Sequence, residues 1–176
     1  MARLRQTLAA ALFVMGAGCS LAAVPTRQDA LQAISVLEKN LLGTAATDAA
    51  KTVVIYAQLS EDVMVDIGPA QLPWLSENWG LERDREAALH SMLLAAFVAG
   101  DVKPQIKNEK AEDDTYSGWL FAIDSYHRLR AKERFRSPAL EALAKMQSEG
   151  TLRKHAQDVH LDGQADPAAA QKKPFA

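Results

Sequence analysis

LERDREAALHSMLLAAFVAG, residues 81–100, decides the fold. It opens with a charged turn, Glu82 to Glu86. It then becomes apolar on almost every side, through Ala87, Ala88, Leu89, Met92, Leu93, Leu94, Ala95, Ala96, Phe97 and Val98. Only His90 and Ser91 interrupt. A surface helix carries one apolar stripe, so a helix apolar all round belongs among other helices. Ala, Leu and Met favour helix because they lose little side-chain freedom in it. Gly100 is the expected terminator, through the left-handed conformation that ends many helices. The run is too short, and too charged at its start, to cross a bilayer. It predicts a central buried helix over residues 82–99 in an all-α domain.

The flanking sequence extends this reading. Thr26 with Asp29 predicts a capped helix start. Ala30, Leu31, Ile34, Leu37 and Leu41 follow at helical spacing. That first helix is expected to stop at Gly43. A second helix runs from Thr47 to about Ser60, capped by Thr47 or Asp48. Its Thr52–Tyr56 core is β-branched enough to suit a strand, but strong helix formers flank it. Residues 62–67, DVMVDI, fit either an extended segment or a continued helix. Residues 68–80, GPAQLPWLSENWG, hold two prolines between glycines and predict a loop. Leu72, Trp74, Leu75 and Trp79 are large apolar groups for a loop and predict a lid over the core.

Residues 101–114 read as a polar connection containing Pro104. Asp113 and Asp114 suit a helix start, where carboxylates meet the positive end of the dipole. A fourth helix spans Tyr116 to about Arg134, with Gly118 marking a close helix contact. Ser137-Pro138 restarts the chain as a fifth. Gly150 ends it, and a short helix over 151–161 precedes a flexible tail. The expected whole is one compact bundle of about five helices over residues 24–152, with residues 153–176 as short helix and tail.

Composition narrows the function classes. The chain has 176 residues and a formal net charge of −2. Without Arg3 and Arg5 it keeps 18 basic and 22 acidic residues, a net of −4. Such a body has no bulk attraction for nucleic acid or an anionic membrane. Residues 1–23 have the form of an export signal: Arg3 and Arg5, an apolar stretch from Leu8 to Ala17, then small residues suited to cleavage after Ala22. Gly16-Ala17-Gly18-Cys19-Ser20 also resembles the bacterial lipoprotein signal, in which the cysteine becomes the lipidated first residue. Gly16 stands where that signal usually carries leucine, so ordinary cleavage is favoured. Lipid on Cys19 would tether the domain to a membrane. Cys19 is the only cysteine, so the body beyond it has no disulfide, thiol nucleophile or cysteine metal site.

Chemistry-bearing residues are few. Trp74, Glu77 and Trp79 could set a carboxyl beside indole rings, where a dry pocket raises its pKa and makes a general acid. No second carboxylate is identified for a glycosidase pair. The structural alternative is a lid with Glu77 in solvent. Arg128, Arg130, Lys132 and Arg134 form a basic run that suits an acidic partner, or simply a solvated last turn. Asp124, Ser125 and His127 contain triad residue types, but neighbours on a helix face apart. His155 and His160 are five residues apart, which does not stack two ligands on one helical face, and no HExxH is present. His90 is expected as a core histidine. No nucleotide motif occurs, and no cofactor or metal is expected.

The functional expectation is a non-catalytic envelope or periplasmic module that binds a protein or peptide partner, using Trp74, Glu77, Trp79 and the basic run. The alternatives are a cell-wall polymer hydrolase using Glu77, and a structural lipoprotein anchored through Cys19.

Overall fold

The computed structural model describes residues 24–164, with side chains through residue 160. The lipidation and cleavage sites and residues 165–176 lie outside the described residues; the last helix runs past its expected end at residue 161 to Gln164. Six α-helices make up the described chain: α1 (Arg27–Lys39), α2 (Thr44–Leu59), α3 (Arg83–Asn108), α4 (Thr115–Arg130), α5 (Pro138–Ser148) and α6 (Leu152–Gln164). A single 3-10 turn, Pro73–Ser76, interrupts the long loop, and there is no strand among these residues. No helix among them is long and apolar enough to cross a membrane.

Capping fixes several starts as the sequence predicts. Thr26 accepts from the Asp29 N–H, and Asp29 accepts from the Thr26 N–H, closing a capping box on α1. Asp114 caps α4 through the Ser117 N–H at 3.0 Å. Ser137 caps α5 through the Leu140 N–H, with Pro138 in the first helical position. Other ends move. α1 stops at Lys39 rather than Gly43, and Gly43, at φ 88°, instead precedes α2. α4 stops at Arg130, four residues short of the expected end.

The largest correction is at α3. Gly100 does not end it; the helix runs on to Asn108, through Pro104. Every residue from Met92 to Val102 is buried, so the all-round burial read from the sequence holds, shifted toward the C-terminus. Ala87 and Ala88 are exposed instead. Gly100 serves packing. A Cβ there would lie 2.5 Å from the Ser117 carbonyl oxygen and 3.0 Å from the Gly118 Cα. Gly118 is tight in turn, with a Cβ falling 2.7 Å from the Phe97 ring. The two glycines let α3 and α4 cross at backbone contact. Glu109, left-handed at φ 51°, takes over the terminating role.

α3 packs against α1, α2 and α4, while α5 and α6 pack on α4 and on each other. The six helices thus form two neighbouring groups that share α4. Trp74 and Trp119, both fully buried, lie among the largest core side chains. Residues 62–67 are non-helical and run alongside α3. The Gln105 side chain holds them there, accepting from the Met64 N–H at 2.9 Å and donating to the Met64 carbonyl at 2.7 Å. One side-chain amide does what a neighbouring strand would do.

Candidate functional site

The C-terminal half of α3, the turn into α4 and the exposed side of α6 enclose a cleft of about 400 Å³. Its walls carry Lys110, Asp113, Tyr116, Arg153, Gln157 and His160, among others. The Arg153 guanidinium lies 4.0 Å from the Tyr116 ring centroid, a cation–π contact that fixes one wall. Lys110, also lining the cleft, pairs with Glu112.

Beneath this cleft sits a polar network buried in the helical core. Asp101, on α3 one residue after Gly100, is completely buried. Its Oδ1 accepts from the Asp114 N–H at 2.8 Å and from the Gln105 amide at 2.7 Å. Its Oδ2 has no hydrogen-bond donor among the described residues. Burial, and after it the charge of Asp113, pushes the Asp101 carboxyl up to about 9. Gln105 uses its full capacity: besides Asp101 and Met64 it accepts from the Glu112 N–H at 3.1 Å.

Asp113 is the next layer outward, its side chain only 2% exposed. It accepts from the Asp66 N–H at 2.7 Å, and from the Thr115 hydroxyl at 2.7 Å and N–H at 3.2 Å. His160 of α6 closes the group, with its Nδ1 3.5 Å from Asp66 Oδ2 and 3.6 Å from Asp113 Oδ2. The Asp66 carboxyl is raised by burial first and by Asp113 second, against the opposing effect of His160. Four chain segments therefore converge: the strand-like run after α2, the middle of α3, the turn into α4, and α6.

The residues singled out from sequence lie elsewhere. Trp74 is fully buried, its ring edge-on to Phe97 at 6.2 Å, and it offers no contact surface. Leu72 is buried as well, so the loop folds back on the core through Leu72 and Trp74, whereas Leu75, expected with them, is exposed. Glu77 is a tie rather than a solvent-facing group. It accepts from the Trp79 indole at 2.9 Å, the Ala139 N–H at 2.8 Å and the Ser137 hydroxyl, joining the lid to the start of α5. Trp79 is half-buried against His90, 3.9 Å between ring centroids. His90 has its pKa lowered, chiefly by burial, with Glu86 and Glu77 acting the other way.

The basic run is split by the end of α4. Arg128 donates to the Leu37 carbonyl and pairs with Asp124, and Arg130 pairs with Glu141 at 3.0 Å. Lys132 and Arg134 lie past the helix, exposed in the turn, so the basic run does not continue as one stretch of helix. Asp124 and His127 are exposed while Ser125 is completely buried, so these three do not meet. His155 stacks on Trp119 at 5.1 Å, leaving His160 to enter the cleft without it.

Sequence reasoning missed the Asp66–Asp101–Asp113–His160 group. Asp66 and Asp113 stand 47 residues apart and share no motif with His160. The one available signal was Asp101, a carboxylate directly behind a buried run. It was hidden by the expectation that Gly100 ends the helix.

The chain matches no protein-family model, no curated protein and no solved structure.

Proposed function

We propose that this chain is an exported helical module of the periplasm or envelope that binds a protein or peptide partner and catalyses no reaction. The cleft between the α3–α4 turn and α6 is its docking point. The observation that carries this reading is the makeup of the cleft walls, where Arg153 on Tyr116 and Lys110 stand beside Asp113, Asp114 and Glu112. Such a surface suits a segment bearing both charges and a flat or apolar group, because opposed charges give register and the aromatic gives contact area.

The experiment is capture from envelope extract with the full chain and with Arg153→Glu. A partner retained by the wild type and lost by the variant, at unchanged helical content, is the expected result. Identical sets from both proteins overturn the assignment of the cleft.

The hydrolase alternative draws less support. The Glu77 oxygens are taken up by donors from Trp79, Ser137 and Ala139, which makes that side chain a structural tie rather than a group presented to a substrate. Muropeptide release that disappears in Glu77→Gln, with the fold intact, would restore it. Export itself is tested by mass spectrometry of the mature N-terminus: a start at Ala23 or Val24 fits cleavage, and a lipidated Cys19 fits the anchored alternative.

A further inference from the structure

Three side chains at the mouth of the buried network have the arrangement of metal ligands. One carboxylate oxygen each from Asp66 and Asp113 and a ring nitrogen of His160 lie within 4.8 Å of one another. The two His160 separations, 3.5 and 3.6 Å, exceed the usual length of a nitrogen–oxygen hydrogen bond, about 2.7–3.2 Å. They come close to another length. Two ligand atoms, each about 2.0–2.1 Å from a tetrahedral ion, stand about 3.3–3.4 Å apart.

A second observation comes from below. Asp101 is completely buried, its Oδ2 lacks a donor, and its carboxyl lies against that of Asp113, itself almost wholly buried. A completely buried oxygen without a donor, in the layer directly behind Asp113, is a polar group that the described side chains leave incomplete. The supporting layer is also in place. Asp66 N–H and Thr115 bind the Asp113 oxygens and hold that carboxylate in position, as outer partners do in metal sites.

We propose that Asp66, Asp113 and His160 bind a divalent first-row transition cation of the zinc class, with Asp101 as the buried carboxyl behind Asp113. Imidazole with two carboxylates selects zinc-like ions over calcium and magnesium, which take all-oxygen shells. Asp66 and His160 are partly exposed, so an ion reaches the position through the cleft. Three protein ligands leave a tetrahedral ion one further place, open to water or to a carboxylate from the cleft side. The site stands whether or not a partner docks there.

The test is equilibrium titration of the tag-free full chain with zinc chloride against a competing chromophoric chelator, with calcium and magnesium chloride as controls. One equivalent of zinc bound, a raised melting temperature with zinc alone, and affinity lower by about tenfold or more in both His160→Ala and Asp66→Asn are expected. Both substitutions fall at partly exposed side chains, and circular dichroism checks that helix content is kept. Absence of zinc binding, equal response to calcium, or affinity unchanged in the two variants overturns the proposal.

Discussion

Asp101 is the residue on which the molecule spends most, since a carboxyl at zero exposure forgoes all its hydration. Its Oδ1 is used twice and its Oδ2 has no donor among the described residues. Asp101→Asn keeps the acceptor and sets an N–H where the bare oxygen was. Its melting temperature in chelator-treated buffer is expected to equal or exceed that of the wild type. Asp101→Ala strips the acceptor from Gln105 and the Asp114 N–H, and should cost about 1–3 kcal/mol in urea unfolding. His90 supplies a pH dependence of known sign. Its folded pKa lies below the ordinary 6.5, so the unfolded chain takes the proton more readily. The contribution is full above about pH 6.5 and is lost as pH falls through that value toward the folded pKa. Between neutral pH and about pH 5.5 the urea midpoint of His90→Gln should therefore fall less than that of the wild type. Of these two residues, sequence reading placed His90 in a helix correctly and left Asp101 in a connection.

Among the elements, α3 and the loop before it carry the sharpest expectations. Gly100→Ala improves helix propensity by about 1 kcal/mol but drives a methyl into the α4 backbone. Backbone cannot swing aside as a side chain can, so a net loss of about 1–3 kcal/mol is expected by urea titration. A neutral or stabilised variant would show that the helices can part cheaply. Glu77→Ala leaves the Trp79 indole and the Ala139 N–H without their acceptor, and about 1–3 kcal/mol should be lost. Near-UV circular dichroism should report the freed indole. What was legible here followed from local chemistry. The caps at Thr26, Asp114 and Ser137 and the helix through Thr52–Tyr56 all answer to residues within one or two turns. The end of α3 was not legible, because glycine stops a helix or lets another approach, and only the neighbour decides which. Pro104 misled in the same way, since a proline interior to a helix costs about 3 kcal/mol but can be outweighed by the burial around it.

Over the whole molecule, burial is uneven. α3 is enclosed from Met92 to Val102, while α6 packs against two helices, α4 and α5, among the described residues. Local opening follows such differences. Hydrogen exchange should be slowest across residues 92–102 and fastest, among the helices, in α6. Added zinc should slow exchange around residues 155–160 if the cation site forms, because His160 then ties α6 to the turn and to residue 66. The all-helical architecture was legible at this scale, since periodicity and sparse glycine and proline speak for helices directly. The cleft was not, because its walls come from segments far apart in the chain and joined only by folding.

The Gln105 amide gives both hydrogens and both lone pairs to other segments. Hydrolysis to glutamate would exchange one nitrogen for oxygen and leave the shape almost unchanged. The new oxygen would confront the Met64 carbonyl and the Asp101 carboxyl, repelling two groups it formerly joined. An added mass of about one dalton at residue 105, a change expected of deamidation chemistry, would thus unhook residues 62–67 and age the protein at its least visible point.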